Sequence, residues 1–207
     1  MISDKRIILV RDLGAKSELL KTNLRKVSEI ARYSPVPVKY GELLSNMAAE
    51  FGKPLIIELG TSLGISTLYM AASATDTTVC TIEGCPAIAA VAKQNFIETG
   101  FNNIQVIEGP FDVVLQYFVT TGVKPGMVFI DGNHRKEPVI NYFNQLVGLA
   151  DSKTVIIIDD INYSKEMEEA WNVIKLHEKV SVSIDIFRMG ILFFRGGINH
   201  NDYVIRY

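Results

Sequence analysis

Glu58-Leu59-Gly60-Thr61-Ser62-Leu63-Gly64-Ile65-Ser66-Thr67 follows an apolar run, Leu55–Leu59, and opens a segment of helical spacing. Gly60 and Gly64 let the backbone turn tightly and allow a ligand to approach it closely. The helix start behind them offers unpaired N–H groups, which suit an anion. The spacing is G-x-x-x-G, not the G-x-G-x-x-G of dinucleotide sites. Glu58 stands just before the glycines. A carboxylate there repels a pyrophosphate but accepts from a cationic ammonium, so the turn favours a nucleotide bearing an amino acid over NAD.

Outward from this turn, short β-rich runs recur at Thr78–Ile82, Ile104–Ile107, Met127–Ile130 and Thr154–Ile158. They are continuously apolar, as strands covered on both faces of a parallel sheet are. Helical spacing fills the gaps: a helix from Ile65, Pro86–Thr99 with Gly100 past its end, Phe111–Val119, Pro138–Leu149, and Lys165–His177 behind the N-cap Ser164. Tyr40 to Phe51 forms another helix, which Gly52 is expected to end with φ > 0. The repeat predicts an α/β doubly wound sheet. Val180–Phe187 and Gly190–Arg195 leave only Arg188 and Met189 between them, so that last pair must be antiparallel. Before Pro35, Leu20, Leu24, Val27 and Ala31 share one face of a helix expected over Lys16–Arg32, with a β-like run at Ile7–Val10. One domain is expected, with residues 1–36 a helical extension and 37–207 the core.

The chain has 207 residues, of which 48% are hydrophobic and 21% charged, which excludes bulk disorder. Lys plus Arg number 21 against 23 Asp plus Glu, so an extended nucleic-acid surface is not expected. Cys80 and Cys85 are too few for a disulfide scaffold and read as reduced thiols of a cytoplasmic protein. No apolar run is long enough to cross a bilayer, so no membrane partner is expected, and the first residues lack the apolar stretch of a signal peptide.

Glu83 ends the second strand of the expected sheet. An acidic residue at that point in an open α/β sheet accepts two ribose hydroxyls. With the glycine turn it makes one β-α-β unit fitted to a nucleoside.

These residues resemble class I S-adenosylmethionine-dependent methyltransferases, and within them the small O-methyltransferases of the catechol and caffeoyl-CoA type and their bacterial relatives. The resemblance runs from about Pro37 to Phe194. It rests on Glu58-Leu-Gly-Thr-Ser-Leu-Gly64, Glu83, Ile130-Asp131-Gly-Asn-His134, Ile158-Asp159-Asp160 and the terminal antiparallel pair. It implies a Rossmann-like seven-stranded sheet of order 3-2-1-4-5-7-6 with strand 7 antiparallel. It also implies that Glu58, Gly60, Ser62, Gly64 and Ser66 line the methionine end of S-adenosylmethionine. The backbone at Val38 or Lys39 would close over the methionine carboxylate, Glu83 would hold the ribose, and Gly109-Pro110-Phe111 would lie beside the adenine. Apart from the resemblance, the reading without a metal has Asp131 only order the cofactor side and Asp159 or Asp160 cap a loop.

Asp131 ends the fourth strand and Asp159 and Asp160 end the fifth, so a parallel sheet brings their carboxylates together at the ligand crevice. Such oxygen ligands suit Mg²⁺, Ca²⁺ or Mn²⁺, and a divalent metal is expected there, holding and acidifying a substrate hydroxyl. Lys or Arg pairing is the alternative that would let an acidic cluster persist without metal. His134 stands where catechol-type relatives carry a lysine base, and an imidazole can take a hydroxyl proton near neutral pH.

The expected activity is transfer of a methyl group to a hydroxyl of a small-molecule acceptor, with His134 and Asp131 catalytic. With a short N-terminal region, the pocket is expected either to be open or to be completed by a partner subunit, as in a homodimer. A non-catalytic S-adenosylmethionine-binding module and an NAD-dependent oxidoreductase are the alternatives, the second disfavoured by Glu58 and the glycine spacing. Gly60, Ser62 and Gly64 also mimic a hydrolase nucleophile elbow, but the histidines at 177 and 200 lie in poor contexts for a triad and Glu83 would go unexplained.

Overall fold

The computed structural model describes residues 1–11 and 23–207. At the N-terminal end β1 (Ile7–Leu9) pairs antiparallel with β2 (Leu24–Lys26), and α1 (Val27–Tyr33) follows directly. This corrects the helix expected over Lys16–Arg32. Leu24, Val27 and Ala31 have helical spacing, but Leu24 sits opposite Leu9 in a strand pair, and the helix starts only at Val27. The portion of that expected helix up to residue 22 lies outside the described residues.

The core then alternates as expected. α2 (Val38–Phe51) precedes β3 (Leu55–Leu59), α3 (Ile65–Ser73), β4 (Thr78–Glu83), α4 (Pro86–Thr99), β5 (Ile104–Glu108) and α5 (Phe111–Thr121). β6 (Met127–Ile130), α6 (Lys136–Val147), β7 (Val155–Ile158), α7 (Lys165–Ile174), β8 (Val182–Asp185), β9 (Gly190–Phe193) and β10 (Asn201–Val204) complete it. Gly52 does end α2, but at φ −61, not in the left-handed region. What it supplies is space: a Cβ there would lie 2.9 Å from Ile56 Cδ1.

The main sheet runs β10-β8-β9-β7-β6-β3-β4-β5. Only β9 opposes its neighbours, β7 and β8; the other pairs are parallel. Counted from β3, the first seven core strands read 3-2-1-4-5-7-6. β10 adds an eighth, parallel to β8, beyond the seven strands that the resemblance implies.

The apolar runs have two covered faces because alternate side chains point to opposite sides. Ile57, Leu59, Val128, Ile130, Ile156 and Ile158 pack with α5, α6 and α7. Ile56, Met127, Phe129, Val155 and Ile157 pack with α2 and α3. Burying each of these large side chains is worth about 1.5–3 kcal/mol. The result is a rigid frame whose parallel strands end together on one edge. At β9, Trp171 of α7 rests on Gly190, where any Cβ would collide with its ring, and this seats the turn that joins β8 to β9.

Candidate active site

The glycine turn is pressed onto the end of β6. Gly60 has φ +105 and Gly64 φ +87, and between them Ser62 takes φ +48. A Cβ on Gly60 would overlap the Asp131 carbonyl, and one on Gly64 the Phe96 ring. Glycine is therefore required twice, for handedness and for space. Ser62 pays a left-handed cost of about 1–2 kcal/mol for a non-glycine residue, the kind of strain that gathers at functional sites. Its N–H donates to Glu83 Oε2 at 3.0 Å. The Cys85 N–H donates to Glu83 Oε1 at 2.8 Å. Glu83 thus ties the turn after β3 to the end of β4.

Glu58 is fully buried one layer below. Ser66 Oγ and Thr67 Oγ1, both from the first turn of α3, donate to its two oxygens at 2.5 Å each. Burial pushes its carboxyl up to about 7, against the pull of these hydroxyls, and the charge of Glu83 adds to the rise. Beside it, Thr61 and Thr81 share a buried hydroxyl–hydroxyl bond of 2.6 Å.

Over this turn lies an open hollow whose lining includes Gly60, Ser62, Ser66 and Asp131. Glu58 and Glu83 each stand one hydrogen bond behind a lining residue, Ser66 and Ser62 respectively. Gly64 caps the start of α3. The far wall is Ser34, Pro35 and Val36, just before the segment expected to close the site. Val38 and Lys39 are not in that wall. They open α2, and Lys39 Nζ lies over the rings of Tyr40 at 5.1 Å and Tyr207 at 4.8 Å while donating to the Tyr207 carbonyl. Gly109-Pro110-Phe111 are set around the corner at β5, outside the lining. The Gly109 N–H donates to the Glu83 carbonyl at 3.0 Å, Pro110 caps α5, and Phe111 packs edge-on to Tyr142 at 5.5 Å.

The three aspartates do converge. The Asp131 N–H donates to the Leu59 carbonyl and the Asp159 N–H to the Ile130 carbonyl, each at 2.9 Å, which locks the strand ends side by side. Burial pushes the Asp131 carboxyl well above the usual range, and the charges of Asp159 and Asp160 push it further. The sequence reading did not single out Arg188. Its Nε donates to Asp159 Oδ1 at 2.9 Å, and its Nη2 to Asp159 Oδ2 at 2.7 Å. The same Nη2 lies 3.2 Å from Asp160 Oδ1. With these oxygens engaged, the described residues contain no group of three or more His, Cys, Asp or Glu side chains placed to hold a metal ion. The donor set expected for a divalent cation is present, but it does not fit one.

His134 lies between two of these carboxylates. Its Nε2 is 3.6 Å from Asp131 Oδ1 and its Nδ1 is 3.9 Å from Asp160 Oδ2. Asn133 and His134 are both left-handed, at φ +70 and +32, and Asn133 anchors the loop by donating to Tyr142 Oη at 2.9 Å. The resulting cleft edge carries a glycine turn, a histidine between acids and a guanidinium. Cys80 and Cys85 are free and buried, and no helix among the described residues is long and apolar enough to cross a membrane.

The chain is similar to known proteins in sequence and in fold. It is 31% identical over 152 residues to a catechol O-methyltransferase of Niastella koreensis, covering 72% of this chain and 65% of that protein. The chain spans 44% to 65% of the length of the curated relatives it matches. The fold matches an O-methyltransferase from Bacillus cereus in complex with SAH, at TM-score 0.68 and 21% identity over 81% of this chain and 90% of the other. It also matches the O-methyltransferase TomG from Streptomyces achromogenes in complex with SAM, at TM-score 0.69 and 19% identity over 89% and 92%. A family model described as a methyltransferase domain matches residues 57–161, from the middle of β3 through the aspartate pair, and the chain belongs to that family.

Proposed function

We propose that this chain is an S-adenosylmethionine-dependent O-methyltransferase acting on a hydroxyl of a small molecule. The observation that carries the reading is the Ser62–Glu83 hydrogen bond, which fixes a glycine turn and a strand-end carboxylate as one unit beside the hollow. Membership of the methyltransferase family supports it, as do relatives named catechol O-methyltransferase and solved structures that hold SAM or SAH.

The residues fit that ligand. Ser62 and Ser66 line the hollow, and Glu83, tied to the Ser62 N–H, would hold the ribose hydroxyls. When bound, the cofactor supplies a methyl group on a cationic sulfur, which an acceptor oxygen displaces in line. Around it, Asp131 lies in the lining and Glu58 stands behind Ser66, so the methionine end is bordered by acidic side chains. Val38 and Lys39 then act at the rim of the methionine end, Gly109, Pro110 and Phe111 at the adenine end. His134, steadied by Asp131, takes the proton of the acceptor hydroxyl as the new O–C bond forms. Most of the rate would come from holding the two reactants in line. The free thiols suit a reducing compartment, and we place the protein in the cytoplasm.

The test is turnover to S-adenosylhomocysteine with a panel of hydroxylated acceptors that begins with catechol. Methylated product from at least one acceptor, lost in His134→Ala, is the expected result. Cofactor binding without turnover on any acceptor would point to a non-catalytic binding module.

A further inference from the structure

We propose that Arg188 is the resident cation of the acceptor side, occupying with its guanidinium the place among Asp131, Asp159 and Asp160 that a divalent metal would otherwise take. The inference rests on the O-methyltransferase reading and goes beyond it by naming what neutralises the carboxylates and meets the acceptor oxygen.

The position is built by the fold. β9 lies antiparallel to β7 with Gly190 opposite Ile158, so the two residues before Gly190 and the two after Ile158 face each other. Those are Arg188 with Met189, and Asp159 with Asp160. The turn is held there from both sides. The Ile161 N–H donates to the Arg188 carbonyl at 3.0 Å, and Asn162 Nδ2 donates to the Phe187 carbonyl at 2.7 Å. Trp171 on Gly190 holds the strand behind it.

The pairing is fork to fork. Nε and Nη2 engage both oxygens of the buried Asp159, the geometry in which Arg binds a carboxylate most firmly. Nη2 is shared with Asp160. The guanidinium carbon Cζ lies 5.8 Å from the Tyr40 ring centroid, within cation–π reach. A metal entering here would have to displace a bidentate ion pair from a buried carboxylate. Nη1 makes no hydrogen bond among the described residues, and the side chain is 27% exposed. Its two N–H groups are therefore available to an acceptor oxygen, and they favour its anionic form as it loses its proton to His134. An acceptor with an acidic hydroxyl, such as a phenol, matches a single delocalised charge better than an alkyl alcohol does.

The test uses the full chain stripped with chelator. Mn²⁺ is titrated in and its free fraction read by electron paramagnetic resonance, with S-adenosylmethionine titrated separately by calorimetry. Wild type is expected to leave Mn²⁺ free to millimolar concentrations. Arg188→Asn, which unmasks the carboxylates, is expected to bind Mn²⁺ at least tenfold more tightly than wild type while keeping its cofactor affinity. Arg188→Lys keeps a charge but not the fork, and is expected to show a smaller gain, which serves if the asparagine variant does not fold. Stoichiometric Mn²⁺ binding by wild type at micromolar concentration overturns the proposal, as does a folded Arg188→Asn protein that still binds none. Failure of the calorimetric titration alone would fall on the methyltransferase reading instead.

Discussion

The backbone N–H of Ser62 and the carboxylate of Glu83 meet at 3.0 Å across two neighbouring strand ends. The bond joins a residue strained into the left-handed region to one whose other oxygen is taken by Cys85. Removing the carboxylate leaves two N–H groups without their acceptor. Hydrogen bonds to a charged group contribute about 1.5–3 kcal/mol each in net terms, so Glu83→Ala should lower stability by a few kcal/mol. Equilibrium urea denaturation measures this. An unchanged midpoint would mean that Glu83 does not hold the turn.

Glu58 makes stability depend on pH in a known direction. Its folded pKa is raised from 4.5 to about 7, so the folded state holds its proton more tightly than the unfolded one. The stabilisation is fully present below about 4.5 and is lost as pH rises through about 7. At 1.36 kcal/mol per unit, the contribution to be lost is about 3 kcal/mol. Glu58→Gln, neutral at every pH, should flatten the dependence between those limits. Urea denaturation of both proteins across the range checks it, and parallel curves would show that Glu58 is not the group responsible.

The two glycines should fail differently. Gly64→Ala meets a left-handed backbone and the Phe96 ring, which can shift, so a loss of about 1–3 kcal/mol is expected. Gly60→Ala meets the Asp131 carbonyl, which is backbone and cannot yield without moving the end of β6. Thermal melting should show Gly60→Ala as the more damaging. Equal losses would mean that the contact with Asp131 is not tight.

Chelation separates Arg188 from a metal by activity. Once an acceptor is known, turnover in excess EDTA should match turnover without it, and added Mg²⁺ should not raise it. A chelator-dependent loss that Mg²⁺ restores would assign the carboxylates to a metal instead.

Much of this was legible in sequence because the physics was local. Continuous apolar runs marked β3, β4, β6 and β7, since both faces of the sheet are covered. Pro86 and Gly100 bracketed α4 at the residues the structure shows, and Ser164 caps α7 by accepting from the Met167 N–H at 3.3 Å. What stayed hidden depends on partners. Leu24 lies in β2 although its spacing to Val27 and Ala31 is helical, because pairing with Leu9 of β1 outweighs the pattern. β10 has an exposed side chain at every position, so no apolar signal marks it; it is held by its ladder to β8 and by Lys175 reaching Asp202 at 2.9 Å. Arg188 could have been found by counting back from Gly190, but only with the register to Ile158 in hand. Ser34 to Val36 wall the hollow through tertiary placement alone.

Calorimetric titration of S-adenosylmethionine into the wild-type chain and into Glu83→Ala probes the cradle most directly. One saturable site in wild type, weakened about tenfold or more by loss of the hydrogen bonds to ribose, is the result this structure predicts. No heat of binding in a folded wild-type protein, or equal affinity in both, would contradict it.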